Sequence, residues 1–274
     1  MSITQDKINA IKTAIWGKLN TAEPMSGNDI PDKINDVYDA GKQEMLDSWW
    51  NSLTNNGARK TWNYAFSDMR LKNALFRPPC TMVANGNASC MFYNSLVDVP
   101  IDCQALEEEL GYPILDTSGA TNLSYFNYTG VFSTLGTVDI SKVTNSSNLH
   151  YAFRTSSNIN YLRSIKKLIV STNTAFNSNM FQNATALTHC VFEGTIAKNG
   201  LDMSSCTQLD KESITSIINC TWNSDASTWG YTITLSQNAV ATAFETEPGA
   251  YNGHLSEEWT ALVQQAGNWT INLV

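Results

Sequence analysis

The chain repeats one six-residue pattern five times. The copies are Leu71-x-x-Ala74-x-Phe76, Leu96-x-x-Val99-x-Ile101, Leu135-x-x-Val138-x-Ile140, Ile165-x-x-Leu168-x-Val170 and Leu187-x-x-Cys190-x-Phe192. An aromatic after a small or apolar residue precedes each copy: Ala65-Phe66, Met91-Phe92, Tyr125-Phe126, Ala152-Phe153 and Met180-Phe181. These phenylalanines recur every 26 to 34 residues, within the repeat lengths of solenoids. In Leu-x-x-Val-x-Ile the last two apolar residues stand two apart, so in a strand they share a face. One coil cannot bury that face alone, whereas stacked coils supply the missing wall. The pattern therefore predicts a short strand per coil, a parallel sheet, and phenylalanines filling the loop side of the core. The intervening Asn, Ser, Thr and Gly suit tight turns. A β-sandwich also explains regularly spaced strands, but not two landmarks in a fixed order.

The repeats are irregular. Their starts lie 25, 39, 30 and 22 residues apart, and the long gap holds Ala105-Leu106-Glu107-Glu108-Glu109-Leu110, which predicts an inserted helical turn. Residues 1–60 read as an N-terminal helical segment. Ile8, Ile11, Ile15 and Leu19 mark one helix, and a second starts at Asp29 and Pro31 and reaches Leu53. Gly41 and Ser48 fall on the seam from Ile34, so a strict heptad fails. Trimerisation through this segment competes with a capping role for Trp49, Trp50 and Trp62. Residues 61–204 form the repeat region. Residues 205–274 form a C-terminal α/β cap, with helices over Leu209–Cys220, Asn238–Phe244 and from Ser256, and strands over 231–235 and 269–273.

The two landmarks together resemble the irregular leucine-rich repeats of the BspA-like family, found in bacterial surface proteins and in phages of gut Firmicutes. The stretch from Ile30-Pro31-Asp32-Lys33 to Gly41-Lys42 resembles the start of tail-associated phage proteins, and Ser213–Asn219 with Asn268-Trp269-Thr270-Ile271 resembles their closing module. The resemblance implies an α/β (α+β) solenoid with a parallel β-sheet. It also implies a non-enzymatic, structural role in a phage or prophage tail, attached to other virion proteins through the N-terminal helices. The repeats would then present a surface to host glycan or protein. The alternative within the resemblance is a bacterial surface protein of adhesin type.

A net charge of −8 and a pI near 4.8 exclude a protein built to hold the nucleic-acid backbone. No run approaches a membrane span, and the N-terminus lacks a secretory apolar stretch, which predicts soluble cytoplasmic synthesis before incorporation in a virion. Six cysteines without Cys-x-x-Cys spacing read as buried thiols. No phosphate loop, nucleophile elbow or zinc-protease motif is present, so catalytic residues, metal and cofactors are all expected to be none. Glu107-Glu108-Glu109 reads as a solvated face, and the Asn-x-Ser/Thr triplets as a consequence of Asn-rich composition. What remains is the outer face of the expected sheet. Alternation places Asn73, Asp98, Thr137, Lys167 and His189 in one row and Leu75, Pro100, Asp139, Ile169 and Val191 in another. The aliphatic members would form a contact patch.

Overall fold

The computed structural model describes residues 58–63, 65–67, 70–71, 80–97, 99–128, 130–155, 160–222, 230–245 and 254–274, all within one compact unit, Gly57–Val274. The expected N-terminal helices, and with them Ala74 and Phe76 of the first repeat, lie outside the described residues. The described fold is mixed α/β, with short parallel sheets and four helices. In chain order the elements are β1 (Ala58–Thr61), β2 (Arg70–Leu71), β3 (Cys80–Asn87), β4 (Leu96–Val97), β5 (Ile101–Asp102), α1 (Cys103–Leu110), β6 (Leu115–Asp116), β7 (Ala120–Asn122) and β8 (Phe132–Asp139). Then follow β9 (Ser164–Val170), β10 (His189–Gly194), β11 (Asp202–Met203), α2 (Lys211–Asn219), β12 (Thr232–Leu235), α3 (Gln237–Phe244), α4 (Glu257–Gln265) and β13 (Thr270–Leu273).

The chain alternates between two parallel sheets. One has β1, β3 and β6 in order with β7 also on β3, and the other runs β10-β9-β8-β5. In the second sheet the hexad behaves as its spacing requires. Leu135 pairs with Ile165 and Val138 with Leu168, and these four side chains are at most 1 % exposed. The fifth copy is buried too, but out of step. Cys190 pairs with Ile165 and Phe192 with Leu168, across a register shift. The second copy departs further. Leu96 is 60 % and Val99 74 % exposed, and only Ile101 reaches the core. Here the chain changes partner: β4 pairs with β2 and β5 with β8. Pro100 stands between them with no N–H for a ladder, so the two apolar residues before it never enter the second sheet.

The phenylalanine landmarks all face inward. Phe66, Phe92, Phe126, Phe153 and Phe181 are at most 1 % exposed. Phe66 stacks on Phe92 and Phe153 on Phe181, each pair at 5.4 Å between ring centroids. The turns before them have a common chemistry. Asn87, Asn122 and Asn145 each accept, through Oδ1, the backbone N–H two residues on, from Ser89, Ser124 and Ser147. Such side-chain-to-backbone turns explain the Asn-x-Ser triplets better than composition does.

Backbone bonds between successive turns set their register. Cys90 N–H donates to Ser124 O, Tyr125 N–H to His150 O, Asn127 N–H to Ala152 O and Phe153 N–H to Met180 O. The residue in step with Phe153 and Phe181 is therefore Asn127, and the landmark Tyr125-Phe126 sits one position early. Asn127 is fully buried, and neither Oδ1 nor Nδ2 finds a hydrogen-bond partner among the described residues. An amide buried in that way carries a desolvation cost with no return. Asn127→Leu is expected to raise stability by about 1–3 kcal/mol, read as a higher urea midpoint at unchanged slope.

After β10 the described sheet order ends, and the strand's outer N–H groups are met by hydroxyls of α2. Cys190 N–H donates to Ser213 Oγ at 2.7 Å and Phe192 N–H to Ser216 Oγ at 2.9 Å. An exposed edge of this kind invites pairing with another chain, and the two serines close it. Helix α2 buries Ile214, Ile217 and Ile218. The two strands expected near the C-terminus, β12 and β13, pair in parallel within a separate sheet, β11-β12-β13. Ser256 Oγ caps α4 by accepting Trp259 N–H.

Candidate functional site

The two rows expected across the sheet are seen in part among the described residues. Asn73, Leu75 and Asp98 lie outside the described residues. Thr137 does lie beside Lys167 and Asp139 beside Ile169, but there the rows stop. Pro100 precedes Ile101, which pairs with Phe132, far along β8 from Asp139. His189 pairs with Ser164 rather than with Lys167, because the fifth hexad meets the fourth three residues early, with Cys190 opposite Ile165 instead of Leu168. Lys167 is ion-paired to Glu193 at 2.5 Å. Val191 is half-buried at the rim of a groove formed with α2 residues Lys211, Glu212 and Asn219.

Helix α1 explains more of this face than the hexads do. Asp102 caps it by accepting Ala105 N–H and also accepts the Thr134 hydroxyl. Gln104 Nε2 donates to Leu135 O and Ser164 Oγ, both at 2.8 Å, tying α1 across β8 to β9. Glu107 is not a solvated carboxylate. It is half-buried over Gly136, where an added Cβ would lie 1.9 Å from its Oε2. Burial raises its pKa, against the opposing effects of the Ile114 N–H at 3.1 Å and the positive charge of Lys166. Glu107, Lys166, Thr137 and Tyr112 line an open groove of about 720 Å³. The other carboxylate in its described lining, Glu108, is the next residue on the same helix, whereas an acid–base pair has its two members facing each other across the groove.

His189, Asp210 and Ser213 invite comparison with a catalytic triad, and the geometry rejects it. His189 Nδ1 lies 2.7 Å from Asp210 Oδ2, and Ser213 Oγ donates to Asp210 Oδ1 at 2.6 Å. The carboxylate therefore stands in the middle, whereas a nucleophilic serine needs the imidazole there. Ser213 is also fully buried. The cluster caps α2 and fixes it to β10. Burial works against the Asp210 charge, but hydrogen bonds from the Ser213 hydroxyl, His189 and the Ser213 N–H outweigh it and hold the carboxyl below its ordinary value. A lowered folded-state pKa contributes stability above the unfolded value of about 3.9, lost as pH falls through the folded one. Asp210→Asn should therefore cost stability near pH 6, with the gap to wild type narrowing as pH falls below the unfolded value, as urea melts across that range would read. Nearby, the Cys190 and Cys206 thiols are fully buried and their pKa values pushed up by that burial. Burial likewise pushes Cys220 up to about 11.

The most distinctive surface lies on the stacked turns and went unread in the sequence. From the backbone register above, Cys90, Tyr125 and Tyr151 share one position on successive turns, and Tyr93, Tyr128, Arg154 and Gln182 share another. Tyr93 stacks on Tyr128 at 5.4 Å and 22°. Arg154 Cζ lies 5.0 Å above the Tyr128 ring and 4.6 Å from Tyr151, and its Nη1 donates to the Tyr128 hydroxyl at 2.9 Å. Tyr125 meets Tyr128 at 5.2 Å, Tyr151 at 5.3 Å and His150 at 5.5 Å. All six side chains are half-buried. Burial, with the neighbouring phenols, raises the Tyr125 pKa, so its hydroxyl remains a donor.

The backbone under this cluster is unusual. Tyr125 and Tyr151 have φ of 57° and 55°, a left-handed geometry that costs an L residue roughly 1–2 kcal/mol and suits Gly or Asn. Bulky aromatics thus occupy corners where the backbone favours other residues. The recurrence of Tyr125 and Tyr151 at one repeat interval was the available signal, obscured by the one-residue offset of Phe126.

Comparison of the chain with protein-family models, with curated proteins and with solved structures finds no match in any of the three. Among the described residues, no group of three or more His, Cys, Asp or Glu side chains is placed to hold a metal ion, and no helix is long and apolar enough to cross a membrane.

Proposed function

We propose that this chain is a non-enzymatic recognition protein: a solenoid of irregular leucine-rich repeats of BspA-like type, carried on a phage or prophage tail. It would present its stacked turns to glycan or protein on the host surface. The observation that carries the reading is the aromatic row, which successive turns display at one shared position. The parallel pairing of β5, β8, β9 and β10 and the buried phenylalanine series support the solenoid. Buried coils in register make a rigid support, and rigid aromatic and arginine side chains are the residues that dominate recognition surfaces. The tail assignment rests on the resemblance of residues 30–42 and of the closing stretch to tail-associated proteins. Attachment then falls to residues 1–60, and trimerisation through them joins it as part of the same reading.

The test is retention of the full chain on envelope preparations from gut Firmicutes, with its size in solution measured in parallel. Saturable binding to at least one envelope, by an oligomer, supports the reading. A monomer retained on none of them removes it.

A further inference from the structure

The shared position on the turns is a column with a regular step. Tyr93, Tyr128 and Arg154 follow one another at 5.4 and 5.0 Å, close to the spacing of neighbouring strands. Because the planar groups stack along the column, each offers solvent an edge carrying a hydroxyl or a guanidinium. Gln182 is next in the column, but its Oε1 is buried, so the polar edges open to a ligand are those of Tyr93, Tyr128 and Arg154. The step is close to that of successive rings in an extended polysaccharide, so a chain laid along the column would meet one polar edge per sugar. The second column supplies the ring carbon that sugar C–H groups pack against.

Arg154 decides the charge. Its side-chain hydrogen bond goes to a neutral phenol, and it has no carboxylate partner among the described residues, although the chain carries 25 acidic groups against 17 basic ones. The intervening stretch 156–159 contains no acidic residue. Tyr128 and Tyr151 hold the guanidinium in place, and with Nε buried its Nη1–Nη2 end is the fork left for one carboxylate. Single-stranded nucleic acid also uses aromatics with arginine, but through open ring faces on which bases stack, and here Tyr93, Tyr128 and Arg154 cover one another's faces.

We propose that the Tyr93–Tyr128–Arg154 column, flanked by Tyr125, Tyr151 and His150, binds an extended acidic polysaccharide, with a uronic-acid carboxylate on Arg154. This rests on the recognition reading above and adds to it the ligand class and the site. The experiment is calorimetric titration of the full chain with hexameric oligogalacturonate, its methyl ester, a hyaluronan hexamer and a hexathymidylate. At least one of the two acidic sugars is expected to bind, with the ester at least tenfold weaker than oligogalacturonate wherever the latter binds. Arg154→Gln should weaken the acidic ligand at least tenfold. Tyr151→Asn, which suits the left-handed corner, should keep the melting temperature and weaken it similarly. Binding of neither acidic sugar, equal binding of acid and ester, indifference to both substitutions, or preference for the hexathymidylate overturns the proposal. Envelope retention that survives both substitutions overturns this site while sparing the recognition reading, and a wild-type chain retained on no envelope removes both.

Discussion

Phe92→Ala is expected to lower stability by about 3–5 kcal/mol, the range for a fully buried phenylalanine truncated to alanine. Phe92 is fully buried. Its ring stacks on Phe66 at 5.4 Å and 11°, and meets Phe126 edge-on at 5.4 Å and Phe132 at 4.7 Å. Truncation therefore removes transfer free energy and three ring contacts together. The cavity left would be walled by rings whose own positions are set by the backbone register of neighbouring turns, so it cannot collapse cheaply. Domains are stable by about 5–15 kcal/mol, which makes this loss a large share of the total. Urea denaturation with matched slopes measures it. Two valines provide the control, since both stand at the fourth position of a hexad. Val138 is 1 % exposed, and Val138→Ala should cost about 1.5–3 kcal/mol. Val99 is 74 % exposed, and Val99→Ala should stay within about 0.5 kcal/mol of wild type. Equal losses at the two valines would contradict the partner change at Pro100.

That pair of valines shows what hydrophobic spacing conveys. Leu135, Val138, Ile165 and Leu168 were legible because strand alternation alone decides their face and their neighbours repeat the same alternation. Leu96 and Val99 carry the same letters, yet their fate depends on which strand the chain joins on either side of Pro100. The step at Cys190 failed for a related reason: which residue of β9 it meets depends on how the two coils stack, and Cys190 faces Ile165 rather than Leu168 with no residue type altered. Turn chemistry was legible in kind, since Asn and Ser were expected to bond nearby backbone. The use of each Asn-x-Ser as one turn required seeing the acceptor. The C-terminal helices and strands followed from their caps and alternation, because those signals are local.

The missed features are all contacts between residues far apart in the chain. Glu107 lies beneath its own helix over Gly136, 29 residues on. His189 finds Asp210 across 21 residues. The tyrosine columns are assembled from three turns, each contributing rings that look unremarkable alone. A position on a stacked turn acquires meaning only when the register to the next turn is known. The offset of Phe126 against Asn127 hid that register by a single residue, and the outer-face rows assumed an even register that β10 does not keep.

Gly194→Ala is expected to be the most damaging single-methyl change in the described fold, costing about 3–5 kcal/mol, whereas Gly136→Ala should cost about 1–2 kcal/mol. Both glycines would place a new Cβ too close to another atom, and the identity of that atom separates them. At Gly194 the Cβ would lie 2.0 Å from the Val170 carbonyl oxygen, the backbone of the residue with which Gly194 pairs. Its φ of +115° is also a geometry that side-chain-bearing residues rarely adopt. Relief requires β10 to move away from β9, which would disturb the helix that Ser213 and Ser216 hold against that strand. At Gly136 the Cβ meets the Glu107 carboxyl, with its carbon at 2.6 Å, and that carboxyl ends a flexible chain on the rim of an open groove. It can swing outward, giving up the Ile114 N–H, and regain water. Paired urea melts read the difference. Hydrogen exchange locates it, with protection lost at Cys190 and Phe192 in Gly194→Ala but retained there in Gly136→Ala. A Gly194→Ala protein as stable as wild type would mean that the paired register of β9 and β10 is wrong, and with it the shift that separates His189 from Lys167.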